Sequence, residues 1–158
     1  MSQTDLKRQK QKVEELGIFF EKTGQPPMSG RVMAYLLLAE PPQQDFFAIQ
    51  EYLQASKSAV STTLKKLQQE GQVDYITFSG DRKRYFKINP KMWIETSKQQ
   101  IAAVRPFVDF LETVLKERKN SKAIEFNQEL KELCAFYNYL ADELPKVMDK
   151  WDKIKKER

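Results

Sequence analysis

Apolar residues recur at three- and four-residue steps through most of the chain and are interrupted by proline and glycine. That period belongs to helices joined by turns. Over residues 5–23, Leu6, Val13, Leu16, Phe19 and Phe20 fall on or near one helical face, and Gly24 ends the run. Pro26-Pro27 then breaks the chain. Ser29 is the expected N-cap of a strongly apolar helix from Val32 to Ala39, halted by Pro41-Pro42. Asp45 is expected to cap a short helix that reaches Leu53 and offers Phe47, Ile49 and Leu53 to a core.

The next stretch changes character. Gln54-Ala55-Ser56 is a tight connection, and Ser56 or Ser58 caps a helix running to about Glu70. Val60, Leu64 and Leu67 lie at i, i+4 and i+7 and make one buried stripe. Gly71 supplies a left-handed terminator. Val73–Phe78 is β-branched and aromatic, Tyr85–Ile88 is a second such run, and Gly80-Asp81 marks a turn between them. A hairpin follows. Helix, turn, helix and a hairpin with a basic tip is the order of a winged helix-turn-helix.

Asn89-Pro90 opens a new element as N-cap and first helical residue. Residues 91–119 are helical in pattern, with a break expected at Pro106. After a polar join near Asn120-Ser121, Phe126, Leu130, Leu133, Tyr137, Leu140, Leu144, Val147, Met148, Trp151 and Ile154 form one long stripe, with a kink expected at Pro145. So long a stripe exceeds what a small chain can cover, and packing on a second copy is the expectation. The predicted class is mainly α with a small β-hairpin wing. Residues 1–89 form the winged helix with its N-terminal helix, and residues 90–158 a helical dimerisation arm.

Composition narrows the chemistry. The 158 residues contain no histidine and one cysteine, Cys134. Ser-His-Asp catalysis, zinc fingers and internal disulfides are thereby excluded. Five scattered glycines make no phosphate-cradling loop. No nucleophile–base or metal constellation can be assembled, so the chain reads as a non-enzyme without cofactor or metal. The longest apolar stretches, such as Ala34–Ala39, fall far short of the roughly 20 residues that cross a bilayer. The opening MSQTDLKRQKQK lacks an apolar signal region, which argues against secretion and for the cytoplasm.

The net charge of +5 is unevenly placed. Residues 56–87 carry seven cations against three carboxylates, whereas residues 120–158 carry eight of each. Attraction to a polyanion is therefore concentrated mid-chain. Lys57, Ser58, Ser61, Thr62 and Lys65 share the polar face of the second helix, where cations neutralise phosphates and short hydroxyls approach base edges. Arg82, Lys83 and Arg84 form the wing, suited to a minor groove or flanking phosphates. Arg84 has a second reading, pairing with Asp74 or Asp81. Arg31 has two readings, a DNA-backbone contact or a brace to a carboxylate. Tyr35, Trp93, Phe107, Phe110, Tyr137 and Tyr139 are candidates for an aromatic effector pocket, or simply core. Cys134 reads as a small buried residue more readily than as a redox sensor. The competing interpretation is a winged helix that docks an acidic protein partner.

Three stretches resemble the MarR superfamily of bacterial regulators, and more specifically its GbsR-type branch. They are Gly24–Leu38, Ser56–Ser61 with Leu64 and Leu67, and Gly80–Phe86. The resemblance covers roughly residues 13–90, and the long C-terminal helices match only in layout. It implies a homodimeric regulator, usually a repressor, with one winged helix per half-operator. A palindromic operator and a small-molecule effector are the expected partners, with control by the protein's own abundance as the alternative to an effector. The choline and osmoprotectant signals of the name-giving members find no matching residues here.

Overall fold

The computed structural model describes residues 3–157 and divides into two compact units, one up to Trp93 and one from Ile94 onward. The first is built around a helix buried on most of its surface. Helix α1 (Gln3–Lys22) precedes α2 (Pro27–Leu38), in which Val32, Met33, Ala34, Tyr35 and Leu36 are all buried. Ser29 does not cap α2. The helix starts one turn earlier, where Pro26 C=O accepts the Gly30 N–H at 3.0 Å and Pro27 occupies the first turn. A proline there has no N–H to leave unpaired and a φ already suited to a helix. Ser29 is consequently a buried helical residue.

Helices α1 and α2 approach closely because glycine stands at their crossing. A Cβ on Gly30 would lie 2.8 Å from Gly17 O and 3.0 Å from Phe20 Cβ. Two residues past the end of α1 stands Gly24, whose φ of 95° is a conformation few side chains tolerate.

Strand β1 (Gln44–Asp45) leads into α3 (Phe46–Leu53), then α4 (Lys57–Gln69). Asp45 caps α3, its carboxylate accepting Ala48 N–H at 2.9 Å, and Ser56 caps α4, accepting Ala59 N–H at 3.2 Å. The α3–α4 turn closes on Gln54, in the left-handed region at φ 49°. Val60, Leu64 and Leu67 are buried as their spacing requires. Ile49 is buried and Leu53 packs against the core, but Phe47 is 62% exposed.

Beyond Gly71 (φ 69°), β2 (Val73–Ile76) and β3 (Tyr85–Ile88) pair antiparallel, Val73 opposite Ile88 and Ile76 opposite Tyr85. β2 ends two residues short of the expected Phe78. The sheet has a third strand, β1, with Gln44 opposite Phe86 and Asp45 opposite Tyr85, giving the order β1-β3-β2. Val73, Phe86 and Ile88 point into the core beside α2 and α4.

The second unit contains most of α5 (Pro90–Ala102), with α6 (Val104–Glu117) and α7 (Ile124–Lys156). The break expected at Pro106 falls three residues earlier, at Ala103. A proline blocks the carbonyl four residues before it, so the chain breaks upstream and Pro106 takes a place in the first turn of α6. Helix α7 runs through Pro145 for 33 residues without ending. Val108 and Leu111 of α6 pack on Cys134 and Ala141 of α7, flanked by Val104, Leu115, Leu130 and Tyr137. Arg105 pairs with Asp142 and donates to Asn138 Oδ1 at 2.7 Å.

Candidate nucleic-acid interface

Helix α4 turns one face to the core through Val60, Leu64 and Leu67 and leaves Lys57, Ser58, Ser61, Thr62 and Lys65 exposed. The hydrophobic stripe alone decides this, since residues half a turn away from it have nothing to pack against. The hairpin brings a second set of cations to the same place. Ser61, Lys65 and Gln68 of α4 and Arg82, Lys83 and Arg84 of the hairpin line one cleft of about 790 Å³. Asp45, Phe46, Phe47, Leu64 and Phe86 complete its lining. Lys57, Ser58 and Thr62 lie on α4 outside that lining. Gln68 and Phe47 were missed by sequence reasoning. Gln68 is half-buried on the edge of the stripe, and Phe47 carries an apolar side chain that pattern assigns inward.

The three wing cations have different surroundings. Asp81 organises the turn: its carboxylate accepts Lys83 N–H at 2.9 Å and the Tyr85 hydroxyl at 2.6 Å, and the hydroxyl holds the acid below its ordinary value. Lys83 Nζ lies 2.6 Å from Asp45 Oδ2. Burial pushes the Asp45 carboxyl up, but the bonds from Lys83 and Ala48 N–H outweigh it and hold the group below its ordinary value. Arg84 pairs with neither Asp74 nor Asp81; its guanidinium sits 4.8 Å from the centre of the Tyr75 ring. Among the described residues Arg82 has no ion-pair partner.

Arg31 is spent within the fold. Its Nε donates to Glu14 Oε2 at 3.0 Å, Nη1 donates to Pro27 O at 3.1 Å, and further bonds reach Glu14 and Glu21. These bonds tie α2 to α1.

Of the aromatic candidates, Tyr35 and Trp93 lie in the first unit and Phe107, Phe110, Tyr137 and Tyr139 in the second. Tyr35 stacks on Tyr52 at 4.1 Å and donates to Gln44 Oε1 at 2.9 Å, with burial pushing its phenol up to about 12. Trp93 meets Phe20 edge-on at 6.3 Å. Phe107, Phe110 and Tyr137 group together on α6 and α7, while Tyr139 is exposed. Cys134 is buried in the α6–α7 core.

Residues 91–154 match the family described as MmpR5-like MarR family transcriptional regulator. The HTH-type transcriptional regulator MmpR5 of Mycobacterium tuberculosis is 28% identical over 104 residues, covering 66% of this chain and 63% of that protein. A crystal structure of a transcriptional regulator superposes with a TM-score of 0.67 at 22% identity, over 90% of this chain and 97% of the other. That likeness shows the fold, a mainly helical chain with a small three-stranded antiparallel sheet. MepR of S. aureus aligns over 96% of the chain and 99% of its own at 16% identity, with a TM-score of 0.42. The matched family and relative are regulators of transcription, not enzymes. The family match falls on the C-terminal helices, the part that resembled known regulators only in layout. Among the described residues no helix is long and apolar enough to cross a membrane.

Proposed function

We propose that this chain is a MarR-type regulator that binds double-stranded DNA as a homodimer and controls transcription in the cytoplasm. The supporting observation is the cleft between α4 and the hairpin, where Lys65, Arg82 and Arg84 surround Ser61 and Gln68. Cations flanking small hydroxyls and an amide suit a duplex, whose phosphates supply affinity and whose base edges supply discrimination. Exposed Lys57, Ser58 and Thr62 extend that face along α4. A dimer would present two such helices to the two halves of a palindromic operator. Repression is the mode proposed, with release by a small-molecule effector. The Gly24–Leu38 and Ser56–Ser61 stretches favour placement in the GbsR-type branch.

The experiment is capture of fragmented genomic DNA by the purified protein, followed by sequencing and titration of the retained sites at several salt concentrations. Enriched fragments with an inverted repeat and a steep salt dependence are expected. Absence of any duplex binding at low salt would overturn the proposal in favour of docking to an acidic protein.

A further inference from the structure

Lys83 stands between two arginines at the hairpin tip, and its position in the sequence suggests a third phosphate contact. Its surroundings say otherwise. The ammonium is 2.6 Å from a carboxylate whose side chain is only 15% exposed. That carboxylate belongs to Asp45, which also caps α3 through Oδ1 and lies opposite Tyr85 in the β1–β3 pairing. The backbone at Lys83 is meanwhile fixed by its N–H bond to Asp81, and Asp81 in turn accepts the Tyr85 hydroxyl. One end of the hairpin is thus tied to the start of α3 by a strand pair and an ion pair. To reach a phosphate, Lys83 would have to abandon a partner held in place by the fold. A hairpin of two four-residue strands is marginal by itself, so a modest tether changes how often its tip occupies one position.

We infer that Asp45 and Lys83 form a latch that holds the β2–β3 hairpin against the start of α3, so that Lys83 positions Arg82 and Arg84 beside α4 and is not itself a phosphate contact. The inference rests on the DNA-binding reading for its consequence, but the latch exists without DNA.

The test uses the full chain and a mixed-sequence DNA duplex, comparing wild type, K83M, D45N, the K83M/D45N double variant and K83R. Asparagine caps a helix as well as aspartate, so D45N removes the charge and keeps α3. K83M is expected to weaken binding about two- to fivefold, the range a partly exposed ion pair can carry. The slope of log affinity against log salt should not change. In the D45N background the same change should weaken binding no further, because the partner is already gone. K83R, which can still pair, should bind as wild type does. Amide exchange at Tyr85 and Phe86, measured without DNA, should quicken equally in K83M, D45N and the double variant. A slope flattened by about one unit by K83M in both backgrounds would make Lys83 a phosphate contact and overturn the inference. Unchanged exchange in all three variants would also overturn it. If the wild type binds no duplex, the DNA reading fails, and the exchange measurement still upholds or overturns the latch.

Discussion

Arg82, Lys83 and Arg84 are adjacent in sequence and face different environments: water, a carboxylate and an aromatic ring. Exposure without a partner makes Arg82 the cation best able to displace counterions from DNA. The R82A variant should therefore lose affinity for operator and unrelated duplex together, with the salt slope reduced by about one unit. S61E should differ. A carboxylate placed there should abolish operator binding by meeting phosphates and base acceptors, while the fold should survive because Ser61 is exposed beside buried Val60 and Leu64. Titrations of both variants against operator and scrambled duplexes, with circular dichroism as the folding control, check the contrast. The Asp45–Lys83 pair adds a pH signature. The Asp45 carboxyl lies below 3.8 in the folded chain, so its contribution is present above that value and is lost as pH falls through the folded value. Lys83 is raised above 10.5, so its contribution is present below that value and is lost as pH rises through the folded one. The stability gap between wild type and D45N should hold across the interval between them and close beyond either end. Denaturant unfolding at a series of pH values measures it.

At the scale of elements, the α1–α2 crossing depends on what glycine lacks. G30A would gain helix propensity of up to about 1 kcal/mol. Against that gain, the new methyl meets the Gly17 carbonyl, which is backbone and cannot swing aside. Overpacking of that kind costs about 1–3 kcal/mol. A net loss of stability is expected, visible as a lower thermal midpoint, and a variant as stable as wild type would show that α1 sits loosely on α2. The hairpin illustrates a different dependence. Tyr75, Phe78, Tyr85 and Phe86 make strands by composition, and the turn residues were readable. Two-residue β1 carries no period at all, and its pairing exists only because α2 and α3 deliver it to the free edge of β3.

At the scale of the whole molecule, α6 and α7 leave many large apolar side chains uncovered. Phe110, Phe126, Leu133, Phe136, Tyr139, Val147 and Ile154 are exposed, several by more than half. Their recurrence at three- and four-residue steps along α7 suits a helix face packed on another helix, and a second copy is the proposed cover. L133E/F136E should give a folded monomer by light scattering, where wild type should give a dimer at micromolar concentration. Truncation after Asn120 should instead aggregate, since it strips α7 from Val108 and Leu111, which it buries. A wild type that is monomeric throughout this range would remove the dimer from the proposal.

The apolar period of the chain determined the helices, the inward stripe of α4 and hence its outward polar face, because a regular helix with one buried stripe leaves no choice about the other side. Turn chemistry likewise determined the hairpin and its basic tip. Tertiary structure alone decided how those exposed groups are used. Lys83 and Arg31 look like their neighbours in sequence, but both find carboxylates contributed from at least ten residues away, Asp45 for one and Glu14 and Glu21 for the other. Phe47 reads as core and is exposed, because a helix as short as α3 cannot bury every apolar residue it carries. Local pattern reports what one segment prefers. Which charges remain available to a partner depends on where the fold sets the segments that compete for them.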